Sequence, residues 1–357
     1  MAEISAPGVA GKPRFTLAER QGFTRRRVWG PVALFAALVA LYADLVFLVL
    51  AAPVPLALVL TVPCGVVIGL LFIVGHDACH NSFTAWPRLN QTIGRLAFLP
   101  ALHSFSLWDL AHNRTHHRHN NLRGWDYVWE PMTAEAYRRC GRLRRAMYRF
   151  YRTPGGVPFY YLIALWAPRL VLARPSIVRR MTVAFVADTV IVLLFLALQI
   201  WTVVTVGGLL GRGPLPSLLF GIVFPFLIWN GLISLVIFLH HTHPAVPWYP
   251  SVAAWEADRG AIGGTAHVRF PWPFGPMVLA IMEHNSHHDA PGVPLYHLAR
   301  MQRGLADKAD FVSWRFSWLA YFRICQRCKL YDYDAGRWIS FDAAKSSAGV
   351  PDGPRAG

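Results

Sequence analysis

Four stretches of the chain are almost unbroken in apolar residues, roughly 31–51, 54–74, 182–204 and 217–239. Each is long enough, at about 1.5 Å per helical residue, to cross a hydrocarbon core of about 30 Å. The pattern therefore predicts four transmembrane helices. Pro53 and Pro55 separate the first two, which are expected as a hairpin with almost no loop. A Gly/Pro stretch from Gly207 to Pro216 joins the other two into a second hairpin. The polar segments 75–180 and 240–345 are expected to form a helical cap on one side. Within the first lies a run, Phe159 to Trp166, that is apolar but too short to span. Its Tyr160, Tyr161 and Trp166 are expected at headgroup level. Residues 1–30 read as a basic tail and 346–357 as a disordered one. The expectation is an all-α integral membrane protein, with residues 31–345 as one domain.

Composition agrees with that reading. Only 15% of the 357 residues are charged, against about 25% in soluble proteins. The formal net charge is +16, and its placement is informative. Six Lys and Arg lie in 1–30, sixteen in 75–180 and twelve in 240–357, with Arg212 alone between the third and fourth runs. The positive-inside rule then puts both termini and both polar segments in the cytoplasm. The basic residues border apolar runs and carry no nucleic-acid motif, so a nucleic-acid partner is not expected. The first apolar run is too long for a cleavable signal and is expected to stay as a span. The 31 arginines against 4 lysines fit a GC-rich genome and a bacterial inner membrane. The five cysteines imply no disulfide framework, and Cys325-Gln-Arg-Cys328 is a lone pair best read as packing.

All fifteen histidines fall in two windows, 76–119 and 240–297. Three clusters have helical spacing: His76 and His80; His112, His116 and His117; His284, His287 and His288. A fourth, His240-His241-Thr-His243, follows the last apolar run. On an α-helix, residues three or four apart share a face, so each cluster is expected to aim its imidazoles at one spot. One metal takes at most six donors, so eight or nine imidazoles imply two metals. Imidazole alone does not choose among iron, zinc, copper and nickel. The zinc-hydrolase pattern His-Glu-x-x-His is absent, and a His-rich two-metal site suits dioxygen activation.

Together with Gly75-His-Asp-Ala-Cys-His-Asn-Ser-Phe83, Trp129-Glu-Pro131, Leu239-His-His-Thr-His-Pro244, Trp255-Glu-Ala-Asp-Arg-Gly-Ala261 and Lys329-Leu-Tyr-Asp332, these boxes resemble the membrane fatty acid desaturases. The similarity runs over about residues 70–340 and is strongest to the acyl-lipid omega-6 (delta-12) branch. The resemblance implies two iron ions held by His76, His80, His112, His116, His117, His284, His287 and His288, with His241 as a further ligand. His240 stands where relatives have glutamine, and His243 reads as structural. His103 and His119 lie close enough to the boxes to support ligands, as do the acids Asp77, Asp126 and Glu130. Box two has three residues between His112 and His116, where close relatives often have two.

The implied reaction takes two hydrogens from an acyl chain, with dioxygen as co-substrate, and leaves a cis double bond and water. Hydroxylation, acetylenic-bond formation and carotenoid oxygenation are related outcomes. No cytochrome segment is visible, so electrons are expected from a ferredoxin or a cytochrome. The arginines at 138, 139, 142, 144 and 145 could dock an acidic donor or hold anionic lipid. A metal-ion transporter is the competing class, because Asp44 and Asp188 are acids inside spans.

Overall fold

The computed structural model describes residues 15–171, 183–258 and 260–346. The expected tail beyond 346 lies outside the described residues, as do residues 1–14 and the Arg179-Arg180 pair before the third run. The chain opens with α1 (Leu17–Thr24), where Thr16 and Glu19 form a reciprocal cap. The sequence predicts residues 15–30 as part of a tail, yet Phe15 and Phe23 are buried beside Leu298, Met301 and Leu305. Polar spacing hides this docking because two aromatic side chains supply its buried part, while Arg20 and Glu19 pair with Asp289 and Lys308.

Four helices are long and apolar enough to cross a membrane: α2 (Trp29–Ala51), α3 (Val54–Cys79), a helix at Val183–Leu209 and another at Pro214–His241. Between them come α4 (Pro87–Phe98), α5 (Arg142–Tyr151) and a short apolar helix, Val157–Pro168. We call the third and fourth long helices α6 and α7. Half of the apolar stretch of α3 is buried, against 6% for α6. The inner helices are therefore α3 and α7, and these carry histidines at their ends. Glycine lets them approach: a Cβ on Gly65 would stand 2.7 Å from Ile228 and 2.8 Å from the Pro225 carbonyl.

Helix α3 runs five residues past the end that hydropathy predicts. Gly75, His76 and Asp77 stay helical because they are buried in protein, not in lipid. Beyond α7 come α8 (His284–Asp289), α9 (Leu295–Leu305) and α10 (Trp318–Arg327). The all-α expectation misses two small sheets. Strands β1 (Ala266–Arg269) and β2 (Val312–Arg315) pair in parallel, and β3 (Leu330–Asp332) and β4 (Arg337–Ile339) pair antiparallel. Strands of three or four residues alternate too briefly to register as a period.

One face of the short apolar helix packs inward, with Val157, Tyr161 and Leu165 buried. Tyr161, expected at headgroup level, is buried, and its hydroxyl pairs with His103 Nε2 at 2.7 Å. Trp166 donates to the Leu102 carbonyl at 3.3 Å. The cysteines are free, and four of them, Cys325 and Cys328 included, are buried.

Candidate metal centre

The C-terminal ends of α3 and α7 meet, and the segments carrying boxes two and three pack against them. Box one ends α3, with His80 as its cap residue. Box two lies on a π-helical stretch, Asp109–His116, that closes into the turn His117–His119. Box three is α8 itself. His241 is the last residue of α7.

The nine histidines singled out in the sequence form two groups. His76, His80, His112, His117 and His287 make the first, and His116, His241, His284 and His288 the second. Within each group the ligating nitrogens lie within 4.8 Å of one another. This corrects the expectation that each box aims at one spot. Boxes two and three are both divided between the groups. In a π-helix, positions i+4 and i+5 flank residue i on either side, so His117 joins His112 in one group while His116 turns to the other. In α8, i+3 and i+4 diverge likewise, sending His287 to one group and His288 to the other.

The nitrogens stand at hydrogen-bond distance from one another, but more of them converge than imidazole hydrogen bonding can satisfy. In the first group, His112 Nε2 lies 2.7 Å from His76 Nε2 and 3.0 Å from His117 Nε2, which is 3.0 Å from His287 Nε2. In the second, His284 Nε2 lies 2.9 Å from His241 Nε2 and 3.1 Å from His288 Nε2. A ring nitrogen offers one N–H or one lone pair and cannot serve two neighbours. His80 Nε2 is buried and has no hydrogen-bond partner. Converging lone pairs of this kind fit a cation in each group. Burial, then the charge of neighbouring imidazoles, holds His80, His112, His117, His284, His287 and His288 well below the ordinary histidine range. They are thus neutral, the form that ligates a metal.

Supporting contacts set the rings. Asp126, fully buried, faces His116 Nδ1 with both oxygens at 3.1 Å and accepts from the backbone of Asn121 and Val128. Nδ1 of His241 donates to the Gly264 carbonyl at 3.1 Å. Trp108 stacks on His112, with centroids 4.7 Å apart. Box three is pinned by Gln302, whose side-chain oxygen accepts from the Ser286 amide and hydroxyl. Gly264, Trp108 and Gln302 were not legible as site residues, since a carbonyl, an aromatic face and one amide leave no spacing pattern.

Other candidates lie elsewhere. Asp77 touches no imidazole: it accepts from Ser82 Oγ and the Leu295 amide, tying box one to α9. Glu130 accepts from the Gly124 amide. His240 stacks on His284, with centroids 3.9 Å apart, and belongs to neither group. His119 stacks on Trp125 and His243 on Trp314. Asp188, an acid within a span, is buried against Arg95 at 2.6 Å and the Ser106 amide at 2.9 Å. That pairing fastens α6 to the segment before box two, a structural use for the charge.

The fatty acid desaturase family model matches residues 53–320 of the chain. An omega-6 fatty acid desaturase of chloroplasts from Spinacia oleracea is 28% identical over 333 residues, covering 91% of this chain and 70% of that one. An sn-1 oleoyl-lipid 12-desaturase from Synechocystis sp. is 28% identical over 270 residues, covering 74% and 73%. An sn-1 acyl-lipid omega-3 desaturase (ferredoxin) from Nostoc sp. is 27% identical over 309 residues, covering 80% and 77%.

Proposed function

The chain belongs to the fatty acid desaturase family, and from that premise we propose that it inserts a cis double bond into the acyl chain of a membrane lipid, as an omega-6 (delta-12) type enzyme using a di-iron centre. It is a multi-pass membrane oxidoreductase that desaturates fatty acyl chains. The observation that carries the finer reading is the pair of histidine groups, nine neutral-capable imidazoles gathered where two inner apolar helices end. The omega-6 position is supported by similarity to relatives that bear that name.

His76, His80, His112, His117 and His287 would hold one iron, and His116, His241, His284 and His288 the other. Iron, when bound, supplies the oxidising power that an unactivated methylene C–H requires, because no base can take a proton that is not acidic. Two hydrogens leave the acyl chain, two electrons and two protons are supplied, and one dioxygen becomes two waters. Asp126 and the Gly264 carbonyl keep the Nε2 atoms of His116 and His241 aimed inward. Seven of the nine rings are buried and His80 and His112 half-buried, which limits the competition of water for the lone pairs.

The reading extends to topology. The spans would form two hairpins with residues 75–180 and 240–345 as a cytoplasmic cap, in a domain running from 31 to 345. The one-sided distribution of Lys and Arg supports that orientation, and the excess of Arg over Lys supports a bacterial inner membrane. Electrons would come from an external ferredoxin or cytochrome, a choice supported by the ferredoxin named for one relative.

The test is expression in a host with a simple lipid profile, total fatty acids read by mass spectrometry, beside a His287→Ala control. A new double bond that vanishes in the control is expected. Hydroxylated chains in its place would refute desaturation, and purified protein without iron would refute the di-iron reading.

A further inference from the structure

Strands β1 and β2 run side by side and stop together, at Arg269 and Arg315. The chain then leaves each strand with aromatic residues. Phe270 and Phe316 stack with centroids 4.6 Å apart, and the Phe316 amide donates to the Arg269 carbonyl. The two exits are thereby held together. From one come Trp272, Phe274 and Met277; from the other come Trp318, Leu319 and Phe322 in the first turns of α10. These six side chains are between 46% and 85% exposed. None belongs to one of the four long apolar helices.

The opposite side of α10 shows where this face sits. Tyr321 and Ile324 are buried in the same cluster as Phe238 and Leu239, in the last turn of α7. Tyr321 also donates to the Pro154 carbonyl at 2.6 Å, just before the short apolar helix. So α10 lies across the end of a membrane-crossing helix, apolar on both sides. Large exposed apolar patches mark interaction sites, because leaving them in water costs about 25 cal/mol per Å². The charge around the patch identifies the partner. Residues 266–282 and 311–331 contain no acid, and their basic residues are Arg269, Arg315, Arg323, Arg327 and Lys329. Aromatic side chains accompanied by arginines in the same stretches of chain match the boundary between headgroups and acyl chains.

We propose that this face docks the cap onto an anionic bilayer surface. Trp272, Phe274, Met277, Trp318, Leu319 and Phe322 sink into the headgroup–acyl boundary, and the flanking arginines bind anionic headgroups. The cap is then seated on the membrane by a second contact besides the spans. This inference rests on the membrane reading of the long apolar helices, and not on the chemistry of the histidine groups.

The test places a nitroxide at Leu319→Cys in the full chain, in a Cys140→Ser background, since the other cysteines are buried. Nanodiscs with and without anionic lipid are compared. Collisions with dissolved oxygen and with a water-soluble nickel chelate give the depth, calibrated on spin-labelled lipids. A second label at Val190→Cys, exposed on α6, reports on the span itself. Oxygen should dominate at residue 319, at a depth of about 5–10 Å, and more so with anionic lipid. Dominance of the nickel chelate at residue 319 with oxygen dominant at residue 190 would overturn the docking and leave the span intact. Access to neither reagent at residue 319 would mean a protein covers the face and would equally overturn it. Equal depth in both nanodiscs would remove the role given to the arginines. A nickel-accessible residue 190 would instead strike at the membrane reading itself.

Discussion

Asp126 shows how one side chain can tune the site without touching a metal. Its carboxylate faces His116 Nδ1 and two backbone amides, so the ring is oriented by a group that is itself held. Losing such a partner typically lowers metal affinity 10–100-fold. Asp126→Asn should therefore bind metal more weakly at the His116 group in a titration while the chain stays folded. Unchanged affinity would reduce Asp126 to a turn residue. His103 offers a separate test. Burial holds it down at about 4, with its ring between the Ala101 carbonyl and the Tyr161 hydroxyl. Below about pH 6.5 the unfolded chain takes up a proton that the folded one refuses, so stability falls with pH down to about 4. His103→Gln should flatten that slope by up to about 1.4 kcal/mol per pH unit, read as Tm against pH in detergent. Identical slopes would count against it. The two acids in spans should behave differently. Asp188→Asn strips Arg95 of its ion-pair partner and should cost up to about 3 kcal/mol. Asp44→Asn should leave desaturation unchanged, and a large loss of product would give Asp44 a part in function.

At the scale of elements, the four long helices were legible because an uninterrupted apolar run of about twenty residues has little place outside a bilayer. All nine histidines assigned from the sequence came together in the two groups. What was hidden is how they are shared. Spacing counted on an α-helix could not reveal the π-helical stretch at Asp109–His116, whose wider turn parts His116 from His117. Hydropathy also ended α3 too early, because polar residues buried in protein look the same as polar residues in water. The junction of α3 and α4 is tight where box one begins: a Cβ on Gly75 would stand 2.6 Å from the Phe98 ring. Overpacking of that kind typically costs about 1–3 kcal/mol. Gly75→Val should lower the Tm and reduce bound metal together. A fall in Tm with full metal content would separate the helix contact from the site.

For the molecule as a whole, the structure refines where an acidic electron donor could land. Arg145 is committed to the Arg138 and Cys140 carbonyls and lies over the Tyr137 ring, while Arg139 pairs with Glu135. Arg142 and Arg144 remain exposed on α5. Reversing both to Glu should slow turnover with a protein donor and spare it with a chemical reductant; equal losses would exclude docking there. The division of boxes two and three has a consequence for biogenesis. Neither histidine group can be finished by a local piece of chain, since each draws on residues before 118 and on residues after 283. A nascent chain that has laid down its four spans still lacks His284, His287 and His288. Neither group is therefore complete until residues 287 and 288 have been made, and one short helix, α8, completes both.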